Sequence, residues 1–345
     1  MITSIFDPET YRGVYLIYVF YYMFCLGGTL ALLLLLRNVM PSDQGRAYAV
    51  NGELSKGKTR GVGLLFILAY VISSFLFLDF SWELTILLLL LLACMLTGYL
   101  DDAGSVPWGG LKKGLLDLGI ALGAGFAAWK FYGTKVSFRL FTVESDYGLR
   151  LSGTLKLPAP IYIIIAAALV WGAINVVNCT DGVDGLCATL AIIALFMYSA
   201  LGSKISSLGT GNNVLALGMI FCLIPYLWFN ASPSSMLMGD AGSRSLGFLL
   251  AMLTLRSGCL LVFIPFCIVF ILDGGLGLLK LALLRSVRIH ILKNTRTPLH
   301  DHARKNLHWG DAQTVFRFAL VQIAVILLYE ALVYVAQTGG IPFQR

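Results

Sequence analysis

Long apolar runs alternate along this chain with short polar stretches. Residues 13–36, 61–78, 84–100 and 157–178 contain no Asp, Glu, Lys or Arg. An uncharged run of about 18 residues is long enough to cross the hydrocarbon core of a bilayer as a helix. The pattern predicts ten spans, over 13–36, 61–78, 84–100, 114–132, 157–176, 185–202, 212–229, 243–255, 259–284 and 315–336. The eighth is short for a bilayer, and Arg256-Ser257-Gly258 turns it directly into the ninth. The ninth carries Asp273-Gly274-Gly275 in its middle, which predicts a break or bend. Beyond that point Leu281, Leu284 and Val287 share one face and Arg285 and Arg288 lie off it, the pattern of a helix leaving the membrane along its surface. Residues 133–156 behave differently. Lys135-Val136-Ser137-Phe138-Arg139-Leu140-Phe141 alternates apolar with polar, so a small external β-hairpin is expected there. The expected fold is an all-α integral membrane protein, a single polytopic domain over 1–345 with about ten transmembrane helices, the ninth broken.

Composition agrees. The 345 residues are 58% hydrophobic and only 12% charged, with mean hydropathy +0.82, where a soluble domain carries roughly 25% charged residues. A net charge of +7 would suggest nucleic acid in a soluble protein. Here the positive-inside rule and anionic headgroups account for it, and no nucleic-acid partner is expected. The loops 37–60, 101–113, 177–184, 230–244 and 285–314, with Arg317, hold 15 Lys and Arg; the opposite loops and the termini hold 9. The first set is therefore expected on the cytoplasmic side of the plasma membrane and both termini outside. Seven cysteines form no CxxC, and five of them (Cys25, Cys94, Cys222, Cys259 and Cys267) lie in apolar runs, so they read as small hydrophobes.

The carboxylates carry the chemical information. Asp101 and Asp102 end the third span, Asp181 and Asp184 lie in NVVNCTDGVDGL between the fifth and sixth, and Asp240 lies in MGDAGS before the eighth. Asp-Gly is ordinary turn chemistry and Asp caps helices, so any one of these could be a plain loop residue. Five at one mouth of a helix bundle need another reason, because an Asp near the membrane core costs roughly 2.5–3.5 kcal/mol. Clustered carboxylates suit Mg²⁺, a hard cation that takes oxygen ligands and bridges phosphates, or a general base for a phosphate nucleophile. Gly182, Gly185, Gly239 and Gly242 let backbone approach a ligand, and Asn175, Asn178 and Asn230 place amides at the same face. Three of the four histidines, His300, His302 and His308, fall in RTPLHDHARKNLHWGDAQTVFRF. No third zinc ligand stands at suitable spacing, and with Arg296, Arg304 and Lys305 nearby, phosphate binding is the better reading. An ion transporter would instead place its ionisable groups near mid-bilayer, where Asp117 and Asp273 are the main examples.

Together these motifs resemble the polyprenyl-phosphate N-acetylhexosamine-1-phosphate transferase superfamily, and within it the branch that uses UDP-N-acetylmuramoyl-pentapeptide. GYLDD at 98–102 is similar to the family's aspartate pair, and NVVNCTDGVDGL at 175–186 to its NAVNLTDGLDGL. FNASPSSMLMGDAGS at 229–243 follows its FN–P–MGD–GS pattern. TPLHDHARK at 297–305 resembles its P-I-H-H-H signature, with Asp301 at the middle histidine, and WGDAQTVFRF at 309–318 its downstream segment. The family's early K-x-G-T-P-T-M-G-G stretch is degenerate here, SKGKTRGVG at 55–63, so no nucleotide role is assigned to Lys56 or Lys58. The loop after Asp102 is short, which leaves Lys113 a loose match to a family lysine. The resemblance implies transfer of the phospho-sugar from UDP to undecaprenyl phosphate, giving lipid I and UMP, with UDP-N-acetylglucosamine as the substrate of the sister branch. It implies Asp240 as the ligand of a Mg²⁺ cofactor, and Asp101 and Asp102 acting on the lipid phosphate. It implies Asn178, Asp181, Asp184 and Asn230 around the uridine and diphosphate, and His300 and His302 on phosphate. It leaves a homodimer open.

Overall fold

In the computed structural model, residues 11–45, 52–104, 106, 108–137, 153–205 and 209–338 are described. They are mostly helical. The apolar runs form α1 (Tyr11–Leu36), α2 (Gly63–Phe77), α3 (Trp82–Asp102), α4 (Gly110–Tyr132), α5 (Ala159–Thr180), α6 (Leu186–Ile205), α7 (Gly209–Asn230) and α8 (Gly239–Ser257). Between α4 and α5, β1 (Lys135–Ser137) pairs antiparallel with β2 (Thr154–Lys156), Val136 facing Leu155. This is the expected hairpin; its residues 138–152 and both chain termini lie outside the described residues. Among the described residues six helices are long and apolar enough to cross a membrane, and a bent pair makes a seventh. Gly63–Phe77 and Leu186–Ala200 are apolar but shorter. The chain is a multi-pass membrane protein. Among the described residues, which include all seven cysteines, there is no disulfide.

Helix ends follow local chemistry. Ser81 caps α3, its Oγ accepting from Leu84 N–H at 3.1 Å, with Glu83 in the first turn where the helix dipole favours an anion. Gly258 ends α8 in the left-handed region at φ 71°. Helix α8 begins at Gly239, four residues before the span expected over 243–255, and is buried from Gly239 through Leu255. It is the central helix of the bundle, packed against α2, α3, α4, α5, α6 and α7. Its polar and small residues face protein and not lipid, which is why hydropathy alone understates its length.

The ninth span is broken, but not where expected. The chain runs through the short α9 (Phe263–Phe266) and α10 (Ile268–Phe270), a π-helical turn Ile271–Gly275 and α11 (Leu276–Ser286). The segments Leu260–Phe266 and Ile268–Ser286 meet at 79°, so the bend is at Cys267, six residues before Asp273. Pro265 has no N–H to give and its ring disrupts the preceding turn. At the bend Val269 N–H no longer bonds Pro265 C=O four residues back, and buried Gln322 of α13 (Asp311–Thr338) takes up both: Nε2 donates to Pro265 C=O at 2.9 Å and Oε1 accepts from Val269 N–H at 3.1 Å. Asp273-Gly274-Gly275 forms the wide π turn instead, which leaves Asp273 fully buried. Past it, Leu281, Leu284 and Val287 are exposed, and so are Arg285 and Arg288. The short α12 (Leu299–Asn306) then leads into α13.

Candidate active site

The strand-like stretch 58–62 organises the site. Asp43 N–H donates to Lys58 C=O and Arg60 N–H to Pro41 C=O, both at 2.8 Å. On the other side Leu237 N–H donates to Thr59 C=O at 2.8 Å and Val62 N–H to Leu237 C=O at 3.2 Å. The stretch is thus held between 41–43 and the segment that leads into α8. Side chains two apart on extended backbone point the same way, and Lys58 and Arg60 reach two neighbouring groups of carboxylates.

The first group joins α3, α4 and α8. Asp101 and Asp102 sit in the last turn of α3 and Asp240 in the first turn of α8, all buried. Lys113 of α4 bridges them, its Nζ 2.5 Å from Asp101 Oδ2 and 3.0 Å from Asp240 Oδ2. Trp108 N–H donates to Asp101 Oδ1 at 2.6 Å. Arg60 Nε donates to Asp102 Oδ1 at 3.0 Å, and its guanidinium also lies 4.0 Å from Asp240 and 3.6 Å from Asp43. Burial works against the Arg60 charge, but Asp102, Asp240 and Asp43 outweigh it and hold the guanidinium above its ordinary value. Two glycines permit this convergence. A Cβ on Gly98 would stand 2.5 Å from the Asp240 carbonyl, so only glycine lets α3 approach α8 there. Gly239, at φ 67°, brings its Cα against Asp102, where a Cβ would meet Oδ2 at 2.2 Å. Ala241 N–H then donates to that same Oδ2 at 3.0 Å. Four carboxylates thus face two cations, an excess of two negative charges if all are ionised.

The second group surrounds the α5–α6 loop. Asp184 Oδ2 accepts from Lys58 Nζ at 3.2 Å and from Ser234 N–H at 2.9 Å, and Lys58 also donates to Ser234 Oγ at 2.9 Å. Buried Asn230 ties this loop to the α7–α8 connection: Oδ1 accepts from Gly185 N–H at 3.0 Å and Nδ2 donates to Met236 C=O at 2.8 Å. Asn178 and Asp181 lie half-buried at the end of α5, where Asp181 N–H closes on Asn178 C=O at 3.2 Å. Asn175 bonds within its own helix, donating to Trp171 C=O.

Helix α12 packs on this loop. His300 lies against Gly182, where a Cβ would come within 2.3 Å of Nε2. Asp273 holds the histidine twice at 2.7 Å, through its backbone N–H and through Nδ1. That contact fixes the ring and turns Nε2 toward the loop. Arg304, expected to meet phosphate, is engaged within the chain instead: it donates to Gly182 C=O and Asp301 Oδ1 at 2.9 Å and to Asp311 at 3.2 Å. His302 Nδ1 accepts from Arg296 N–H at 3.3 Å, on the other side of α12 from the loop contacts of His300.

The oxygen donors and negative excess of the first group suit a hard divalent cation in chemical type. Among the described residues no three His, Cys, Asp or Glu side chains converge as a ready-made metal site; Lys113 stands between Asp101 and Asp240.

Residues 84–258 match the family model described as glycosyl transferase family 4. That match covers half of the chain and contains Asp101, Asp102, Asp181, Asp184 and Asp240, but not Asp43. This chain belongs to glycosyl transferase family 4. Among its relatives, a phospho-N-acetylmuramoyl-pentapeptide-transferase of Treponema pallidum subsp. pallidum is 36% identical over 297 residues, 82% of this chain and 80% of the relative. Proteins of the same name from Staphylococcus epidermidis (strain ATCC 12228 / FDA PCI 1200) and Carboxydothermus hydrogenoformans are each 28% identical, covering 82% and 92% of this chain and 89% and 97% of their own lengths. The family 4 match leaves out residues 55–63, and Lys58 and Arg60 were missed by the sequence reading for a related reason: their motif is degenerate. The sequence places Asp273 in a break and among the ionisable groups near mid-bilayer, but does not pair it with His300. Its proximity to His300, 27 residues away, depends on the π turn.

Proposed function

We propose that this chain transfers phospho-N-acetylmuramoyl-pentapeptide from UDP to undecaprenyl phosphate, releasing UMP and forming lipid I for peptidoglycan synthesis. The reading rests on the 36% identity to a phospho-N-acetylmuramoyl-pentapeptide-transferase over 82% of the chain, which spans the carboxylate groups. Its topology would be ten spans, counting α2, α6, α8 and the bent pair with the six long helices, with the site cytoplasmic and both termini outside.

A lipid phosphate oxygen attacks the sugar-bearing phosphorus, the bond to UMP breaks, and UMP carries the electron pair away. Two anions must meet, so charge control is the main task. Asp101 and Asp102 orient or deprotonate the lipid phosphate. Lys113 and Arg60, already bridging the carboxylates, offset phosphate charge as it enters. Asp184, Asn178, Asp181 and Asn230 shape the nucleotide side, with Lys58 on the diphosphate. His300, held by Asp273, presents Nε2 to phosphate. Asp240, with Asp101 or Asp102, would hold Mg²⁺, which when bound would neutralise the diphosphate. The test is UMP release by purified protein given each UDP-sugar, with and without undecaprenyl phosphate and Mg²⁺. UMP formed only with the lipid phosphate and the muramoyl-pentapeptide nucleotide supports the reading. Preference for UDP-N-acetylglucosamine would move the chain to the sister activity, and no UMP from either would overturn it.

A further inference from the structure

Beneath the first carboxylate group lies a charged pair to which the mechanism above gives no role. Arg244 of α8 is fully buried, the largest side chain so enclosed among the described residues, and its Nη2 donates to Asp117 of α4. Asp117 is buried too. Arg244 Nε and Nη1 have no hydrogen-bond partner among the described residues. Such a pair is a poor device for stability: two ions leave water, and apolar residues of similar volume often do as well or better. Donors left unsatisfied make it poorer still.

Its placement suggests another use. Arg244 is four residues after Asp240 on α8, and Asp117 four residues after Lys113 on α4. Residues four apart share a helix face, so two facing helices carry two stacked pairs of opposite polarity. Lys113 meets Asp240 in the upper pair and Asp117 meets Arg244 in the lower. Attraction also runs along each helix, from Arg244 to Asp240 and from Lys113 to Asp117. Without the pair, Lys113 would lose the Asp117 carboxylate one turn below it and Asp240 would lose the Arg244 guanidinium, so both members of the upper contact would lose a charge that helps to set their position.

We propose that Asp117 and Arg244 are positioning residues, which hold Lys113 across Asp101 and Asp240 one turn above them. This inference rests on the transferase reading for its effect on turnover, but not for its effect on Lys113. Three variants test it. Asp117→Leu/Arg244→Met removes the pair at similar volume; Arg244→Lys keeps the charge; Asp117→Arg/Arg244→Asp keeps a pair and inverts its polarity. The apolar double variant should melt within about 3 °C of wild type. Its kcat should nonetheless fall about tenfold, the usual scale for groups that orient a reacting side chain, with KM for the UDP-sugar little changed. The inverted pair should be slower still, and Arg244→Lys should keep most of the activity.

Lys113 is also read without turnover, by the rate at which an amine-acylating reagent modifies it, located by mass spectrometry. The rate should rise in the apolar double variant. Wild-type kcat together with wild-type Lys113 acylation in that variant would overturn the proposal. So would melting and activity falling in step, which would assign the pair to packing. If the wild-type protein releases no UMP, the transferase reading fails, while Lys113 acylation still decides the positioning role.

Discussion

Replacing Gly98 by alanine should damage turnover far more than stability. On helix propensity alone the change favours α3 by about 1 kcal/mol. The obstacle is space: the new Cβ would stand 2.5 Å from the Asp240 carbonyl, while ordinary contact begins at 3.4 Å. Both neighbours are backbone, so no side chain can swing aside. The helices must separate by the difference, about 0.9 Å, and Asp240 moves by that amount relative to Asp101 and Asp102. A misplacement of about 1 Å between reacting groups can reduce a rate roughly 100-fold. Gly98→Ala should therefore lower kcat for UMP release about 100-fold, with a melting temperature within about 4 °C of wild type. Gly119→Ala on α4 is the control, because nothing lies within 4 Å of its added Cβ; it should leave kcat unchanged. Gly98→Ala activity above a third of wild type would refute the claim that this close approach sets the carboxylate geometry.

Three further outcomes follow from the same contacts. Asp240→Asn should leave less than about a tenth of the activity and abolish the response to Mg²⁺; a Mg²⁺ titration with a normal midpoint would remove Asp240 from metal binding. Lys58→Met should raise KM for the UDP-sugar about tenfold, the scale of a charged hydrogen bond, with a smaller effect on kcat. An unchanged KM would take Lys58 out of the nucleotide site. Gln322→Leu strands Pro265 C=O and Val269 N–H in the bundle, at about 1–3 kcal/mol each at most, so the melting temperature should drop by roughly 4–8 °C. A variant as stable as wild type would show that the broken helix does not depend on that side chain.

The fold and the acidic half of the site were legible because both are local signals. An uncharged run announces a span, and Asp101, Asp102 and Asp240 stand out at the ends of apolar helices where a charge is costly. The partners of those aspartates were not legible. Lys113 and Arg60 acquire their meaning from α3 and α8, 127 and 42 residues away from the carboxylates they hold, and a lysine or arginine in a basic loop looks like any other. The break in the ninth span was expected at the glycines, the usual breakers. Pro265 and a glutamine more than 50 residues downstream moved it to Cys267. Helix α8 was shortened because hydropathy cannot tell a lipid-facing helix from one enclosed by protein. Arg304 looked like a phosphate ligand until its carbonyl and carboxylate partners were in view.

The strand at 58–62 also has a consequence for how the protein is made. Its two flanks are unequal in synthesis order: residues 41–43 emerge before it, and residues 236–238 emerge long after. Between Val62 and Met238 the ribosome must add 176 residues, roughly ten to thirty seconds of elongation at bacterial-type rates. Through that interval Lys58 and Arg60 have neither Asp184 and Ser234 nor Asp102 and Asp240 all in place. The early helices must enter the bilayer while their cations wait for partners, and a nascent chain stalled before Met236 would hold a set of inserted helices whose site lacks Asp240 and the segment that pairs with 58–62. Catalytic competence in this chain is thus a late event of biogenesis, which cannot precede the arrival of α8.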